Sequence, residues 1–122
     1  MILTDTHTHL YSEQFEDDRS EVIQKAIDAG IKRFFIPAID RNFYPAMFSL
    51  KQEFPEHVFL MTGLHPTHVK EDFEEELDVV KKNLETGSFC AIGEIGIDLY
   101  WDKTFFTQQQ QAFKKQKDLK RK

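Results

Sequence analysis

Short apolar runs alternate with amphipathic stretches four times along this chain, at a spacing of about 25 to 30 residues, which is the size of a βα unit. The apolar runs are Ile2–His7, Arg33–Ile36, Val58–Thr62 and Phe89–Ile95, each too short for a helix, with Gly30, Gly63 and Gly87 at their edges. Their continuous apolar character predicts strands buried in a parallel sheet. The segments between them keep helical time. Phe73, Leu77, Val80 and Leu84 fall at i, i+4, i+7 and i+11, and Phe43, Met47, Leu50 and Phe54 repeat those intervals. A first helix shows Val22, Ile23, Ala26 and Ile27 on one side, with Gly30 as its expected C-terminal cap. The third opens with Glu71, Asp72, Glu74, Glu75 and Glu76 and closes with Lys81 and Lys82, which complements the helix dipole at both ends. A fourth, from Thr104 onward, is marked by Phe106 and Phe113, but its run Gln108–Gln111 carries little apolar pattern, so it is expected to fray or to need a partner.

Strand–helix alternation with right-handed crossovers gives an α/β fold, either an open doubly wound sheet or part of a (β/α)8 barrel. Length decides between whole and part. A complete barrel takes about 250 residues, so the 122 residues here amount to half of one, with an open strand edge on each side.

Charge is distributed unevenly. The net charge of −5 hides a basic end: Lys114 to Lys122 hold six of the 16 Lys and Arg, which leaves the first 113 residues with ten bases against 20 acids. Such a body is a poor general surface for nucleic acid, because non-specific binding comes mostly from phosphate neutralisation by Lys and Arg. If phosphates bind, something other than bulk charge must hold them. One cysteine, Cys90, excludes an internal disulfide and reads as a core residue. No basic segment followed by a long apolar run opens the sequence, and no apolar stretch approaches the roughly 20 residues of a membrane helix. The expected location is the cytoplasm, without a membrane partner.

Two constellations carry chemistry. Asp5, His7 and His9 form Asp-x-His-x-His at the end of the first apolar run, where strand alternation would turn all three side chains to one face. Two imidazoles there can meet one cation, with the carboxylate orienting a ring or binding directly; the alternative is a pair of capping or surface histidines. In Ala91-Ile92-Gly93-Glu94-Ile95-Gly96-Ile97-Asp98 a carboxylate sits inside an apolar strand between glycines that admit a close neighbour. Burying that charge requires a partner, either a metal ion or a Lys or Arg. Ile92, Glu94, Gly96 and Asp98 share a face, so Glu94 and Asp98 are expected to look toward the histidines. Gly63-Leu64-His65-Pro66 follows the third strand, at the end where α/β proteins place ligands, and His65 is either a substrate contact or an ordinary loop residue. His57 and His68 read as solvated. Tyr100 and Trp101 follow the fourth strand and either stack on a base or sugar or pack against a helix.

Asp-Thr-His-Thr-His, Gly-Leu-His-Pro and Gly-Glu-Ile-Gly-Ile-Asp, in this order and at these intervals, resemble the amino-terminal half of the TatD family of metal-dependent deoxyribonucleases. The resemblance runs from Met1 to about Phe113, a half-barrel of four βα units, and leaves Lys114–Lys122 as a basic tail atypical of the family. It implies an amidohydrolase-like (β/α)8 barrel, two divalent ions (magnesium, manganese or zinc) and hydrolysis of DNA phosphodiester bonds. By motif, His7 and His9 would bind one metal, Glu94 would bridge toward a second and His65 would lie near substrate, making Glu94 and His65 the catalytic pair. Asp5, Asp98 and Trp101 would support the ligands or contact substrate. The family's further ligands, a His after the fifth strand, a His after the sixth and an Asp after the eighth, have no counterpart in these residues. The expectation is therefore a truncated site, inactive alone or completed by a homodimer. A related amidohydrolase acting on an amide or ester, and a non-catalytic interaction fragment, are the alternatives.

Overall fold

The computed structural model describes residues 1–119. Four strands, β1 (Leu3–Asp5), β2 (Ile31–Ile36), β3 (Val58–Thr62) and β4 (Ala91–Ile92), form one sheet in the order β1-β2-β3-β4, and every neighbouring pair is parallel. The helices α1 (Arg19–Asp28), α2 (Tyr44–Glu53), α3 (Phe73–Glu85) and α4 (Phe106–Leu119) alternate with the strands. This is the α/β half-barrel that the sequence pattern describes. Among the described residues no helix is long and apolar enough to cross a membrane.

The periodic stripes become the core. Ile23 and Ile27 of α1 and Met47 and Leu50 of α2 pack with Phe34 and Ile36 of β2 and Val58 and Leu60 of β3 in one buried cluster. Strand alternation sends Phe35 and Phe59 to the other face of the sheet, where their rings stack at 5.4 Å and stay half-buried. A smaller cluster of Leu64, Val69, Phe73, Leu77 and Ala112 joins α3 to α4. Gly30 ends α1 at φ 115°, a left-handed turn that suits glycine. A buried carboxylate from the acidic first turn of α3 adds a cross-tie: Glu76 accepts the Arg41 backbone N–H at 2.9 Å and pairs with Arg41 Nε at 3.2 Å. Burial pushes the Glu76 carboxyl up, against the pull of Arg41.

Several expectations need correction. The first strand stops at Asp5 rather than His7, and the fourth is two residues long rather than seven. Cys90 is exposed, because it leads into β4, the edge strand of the sheet among the described residues. Phe106 is 42% exposed, and α4 buries Gln109, Ala112 and Gln116 in its place. Those glutamines grip backbone. Gln116 Oε1 accepts the Leu64 N–H at 2.7 Å, and its Nε2 donates to the Leu64 carbonyl at 3.4 Å. Residues 114–119 of the basic tail form the last part of α4, and Lys120, Arg121 and Lys122 of that tail lie outside the described residues.

Past the ends of the strands the sheet closes on itself. Ala38, beyond β2, exchanges hydrogen bonds with Gly93 (2.9 Å) and Glu94 (3.1 Å), beyond β4, and so bridges over the end of β3. Gly63 lies directly beneath, and a Cβ there would come within 2.8 Å of the Gly93 carbonyl carbon. Because that neighbour is backbone and cannot rotate away, Gly63→Ala is expected to cost about 1–3 kcal/mol, read as a lower urea midpoint at unchanged slope; an unaltered midpoint would show that the closure yields freely.

Candidate metal centre

The connections that follow β1, β3 and β4 leave the same end of the parallel sheet and bring three imidazoles around one carboxylate. Asp5 Oδ1 accepts the His7 backbone N–H at 3.1 Å, which turns the chain out of β1, and Thr8 N–H re-anchors it on the Phe35 carbonyl at 3.2 Å. Although the strand does not continue, His7 and His9 still converge: each Nε2 approaches Glu94 Oε2, at 3.0 Å and 3.2 Å respectively. His65 Nε2 reaches the other oxygen, Glu94 Oε1, at 3.2 Å. Glu94 itself is half-buried, fixed by its own N–H on Ala38, and the His65 N–H is fixed on the Ile39 carbonyl at 2.8 Å.

The loop that carries the histidines is held by two residues outside the three motifs. Arg19, at the start of α1, donates to the carbonyls of Leu10 (2.7 Å), Tyr11 (3.1 Å) and Ser12 (2.9 Å). Tyr11 is buried, and its hydroxyl donates to the Pro37 carbonyl at 2.7 Å. Burial raises the Tyr11 pKa, so the hydroxyl keeps its proton. In sequence both look ordinary, an aromatic two residues after His9 and an arginine at a helix start, and nothing in the motif marks either.

These contacts separate the imidazoles by tautomer. With its proton committed to Pro37, the Tyr11 oxygen is an acceptor, so His9 Nδ1, 2.9 Å away, carries the hydrogen and Nε2 keeps its lone pair. At His65 the assignment is reversed: the Thr67 backbone N–H donates to Nδ1 at 3.1 Å, so Nε2 carries the hydrogen and gives it to Glu94 Oε1. Burial holds both rings below the ordinary histidine pKa, against the attraction of Glu94, which favours the neutral forms. A neutral His9 Nε2 and a carboxylate oxygen then face each other lone pair to lone pair, an arrangement that calls for a cation between them.

Donor chemistry fits a divalent ion. One atom each from His7, His9 and Glu94 lies within 4.8 Å of the others. Ligands about 2.0–2.1 Å from zinc in a tetrahedral set stand about 3.3 Å apart, close to the 3.0 Å and 3.2 Å separations between the imidazole nitrogens and Glu94. Asp5 and Asp98 stay out of this set, since Asp5 binds the His7 backbone and Asp98 Oδ1 accepts the Tyr100 N–H at 3.0 Å. Of the two histidines read as solvated, His68 Nδ1 pairs with Asp40 Oδ2 at 2.8 Å and His57 Nδ1 donates to the Lys32 carbonyl at 2.8 Å. Trp101 is 79% exposed and Tyr100 81%.

Removing the tautomer lock is expected to weaken metal binding without unfolding the chain. Tyr11→Phe should lower Zn²⁺ or Mn²⁺ affinity by about 10-fold or more in calorimetric titration, with an unchanged far-UV spectrum; equal affinities would show that Tyr11 does not set the ring. The depressed histidines also make stability pH-dependent. Their contribution is complete above the unfolded value of 6.5 and is lost as pH falls through the lower folded values, because the unfolded chain takes up protons first. Urea midpoints in EDTA should therefore drop from pH 7.5 to pH 5.5, and the drop should shrink in His9→Asn; an equal drop in the variant would place the effect elsewhere.

Comparison with known proteins places the chain in a family. The family model described as TatD related DNase matches residues 4–122. A Bacillus subtilis protein described as the uncharacterized metal-dependent hydrolase YabD is 31% identical over 115 residues, covering 94% of this chain and 45% of its own length. The 3'-5' ssDNA/RNA exonuclease TatD of Erwinia tasmaniensis is 30% identical over 109 residues, or 89% of this chain and 41% of that protein. The crystal structure of YjjV, a TatD homologue from Escherichia coli, superposes with a TM-score of 0.84 at 28% identity and covers 96% of this chain and 46% of that one. The chain thus spans less than half the length of these relatives, and it belongs to the TatD-related DNase family.

Proposed function

We propose that this chain supplies the first half of a metal-dependent hydrolase that cleaves phosphodiester bonds in nucleic-acid strands, with DNA as the substrate. The observation that carries the reading is the convergence of His7 Nε2, His9 Nε2 and Glu94 Oε2 at one end of a parallel sheet. Membership of a family with relatives named 3'-5' ssDNA/RNA exonuclease supports it. His7 and His9 would hold a divalent ion through Nε2 and Glu94 through Oε2, while His65 keeps its hydrogen bond to the carboxylate's other oxygen. Magnesium, manganese and zinc all accept mixed nitrogen and oxygen ligation. When bound, the ion supplies a Lewis acid for a phosphoryl oxygen and lowers the pKa of a water nucleophile.

The remaining roles belong to the side chains. His65 is half-buried with Nε2–H directed at Glu94 Oε1, so that N–H orients the carboxylate and can turn to a phosphate oxygen when substrate arrives. Asp5 fixes the His7 backbone and Asp98 fixes the loop beyond Glu94. Trp101 presents an exposed face to substrate. Localised positive charge from the ions resolves the conflict between an acidic body and a polyanionic substrate. A second copy of the chain is the proposed partner: the exposed Ile2 and Leu3 at the β1 edge, the short β4 and the half-buried Phe35–Phe59 stack are the surfaces it would cover in completing a barrel. The chain would act in the cytoplasm.

A labelled single-stranded oligonucleotide, incubated with the monomeric and dimeric fractions of the purified chain in Mn²⁺, tests the reading. Shortening is expected from the dimer alone, stops with EDTA, and falls at least about 100-fold in Glu94→Gln, the scale of losing one electrostatic contact to a transition state. Cleavage indifferent to EDTA and to Glu94→Gln, turnover of amide or ester substrates in its place, or no cleavage from either fraction would overturn it.

A further inference from the structure

The connection from β4 to α4 is pinned at both ends and yet holds two large aromatic rings in solvent. At its near end the buried Gln109 side chain clamps Asp98, accepting its N–H at 2.8 Å and donating to its carbonyl at 2.9 Å. At its far end Asp102 Oδ1 accepts the Thr104 N–H at 2.8 Å and the Thr104 hydroxyl at 2.6 Å, which sets the start of α4. Between these anchors Tyr100 is 81% and Trp101 79% exposed, with their rings edge to face at 4.7 Å. Two adjacent aromatics on a backbone pinned at both ends are left free to offer apolar ring surface and a polar edge to a ligand.

Position narrows the ligand. All four strands are parallel, so this connection emerges at the same end of the sheet as His7, His9 and His65. Trp101 and Asp98 line a small recess of about 50 Å³ together with Pro66 and Thr67, the two residues that follow His65, and with the exposed Lys70 and the acidic Asp102. That recess is too small to enclose a base, which leaves the outer ring faces as the contact. Charge narrows it further. The first 113 residues hold twice as many acids as bases, so a polyanion cannot be held by the general field, whereas stacking on an aromatic face does not depend on net charge.

We propose that Tyr100 and Trp101 form a stacking platform for an unpaired nucleobase next to the His7–His9–Glu94 centre, with Lys70 beside it for the adjoining phosphate. The inference rests on the nucleic-acid reading above and adds to it a reason for selecting single strands: bases stacked within a duplex have no free face to offer the platform.

Trp101 is the one tryptophan of the chain, so its fluorescence reports on the platform directly. The full chain is titrated, in Mn²⁺ and again in EDTA, with a five-residue thymidine oligonucleotide and with an abasic phosphodiester chain of the same length; a blunt duplex is the third probe. The thymidine oligonucleotide should quench Trp101 and bind about 10-fold tighter by anisotropy than the abasic chain, and the duplex should do neither. Tyr100→Ala and Trp101→Leu, both at exposed positions that the fold does not use, should bring the two affinities together. Equal binding of both single-stranded probes without quenching, or no binding of either, overturns the platform. The two readings fail separately: Mn²⁺ binding without quenching leaves the hydrolase reading standing, and quenching without Mn²⁺ binding leaves the platform standing while removing the metal centre.

Discussion

Three consecutive backbone units, Pro37, Ala38 and Ile39, organise everything at the working end of this sheet. The Pro37 carbonyl takes the Tyr11 hydroxyl and thereby sets the His9 ring, Ala38 pairs with Gly93 and Glu94, and the Ile39 carbonyl takes the His65 N–H. Residues from the first, third and fourth connections are thus referenced to a single stretch beyond β2. Pro37 and Ala38 are buried and Ile39 is half-buried, and the cost of leaving a buried peptide group unpaired is about 1–3 kcal/mol. The closure that results requires glycine at position 63, where backbone approaches backbone.

That frame holds an arrangement that is unfavourable by itself. Three half-buried or exposed imidazoles and one carboxylate are brought together in a body already rich in acid, and burial drives His9 and His65 toward their neutral forms. Neutral imidazole and carboxylate do not satisfy each other where two lone pairs meet. The site therefore has the character of a prepared ligand set, one whose folding costs are recovered when a cation arrives. His65 differs from His7 and His9 in this respect: its proton already lies toward Glu94, which makes it a hydrogen-bond donor at the centre rather than a further ligand.

Much of this was legible in the residues. Periodic stripes such as Met47 with Leu50, against the sheet, and Phe73 with Leu77, against α4, bury as their spacing requires, because apolar packing leaves an apolar record. The four-fold alternation likewise sets a parallel sheet in sequential order. What escaped is polar and long-range. The α4 face is built from Gln109 and Gln116, which dock on the backbone of Asp98 and Leu64, so no apolar period marks it. Glu76 reads as one more acid in a charged first turn until Arg41, 35 residues away, is folded against it. Tyr11 and Arg19 support the site through main-chain carbonyls, which have no sequence signature. The strands read too long from sequence for a related reason: the residues after Asp5 and after Ile92 keep alternating or apolar character while their hydrogen bonds pass to a turn and to Ala38.

The central claim is that His7, His9 and Glu94 form one metal-binding unit, and native mass spectrometry of the purified chain with Zn²⁺ or Mn²⁺ tests it most directly. The account predicts that the wild-type chain retains the ion and that His7→Ala and Glu94→Gln each shed it while keeping the charge-state distribution of a folded protein. Retention of the ion by both variants, or a folded wild-type chain that takes up no ion at all, would contradict it.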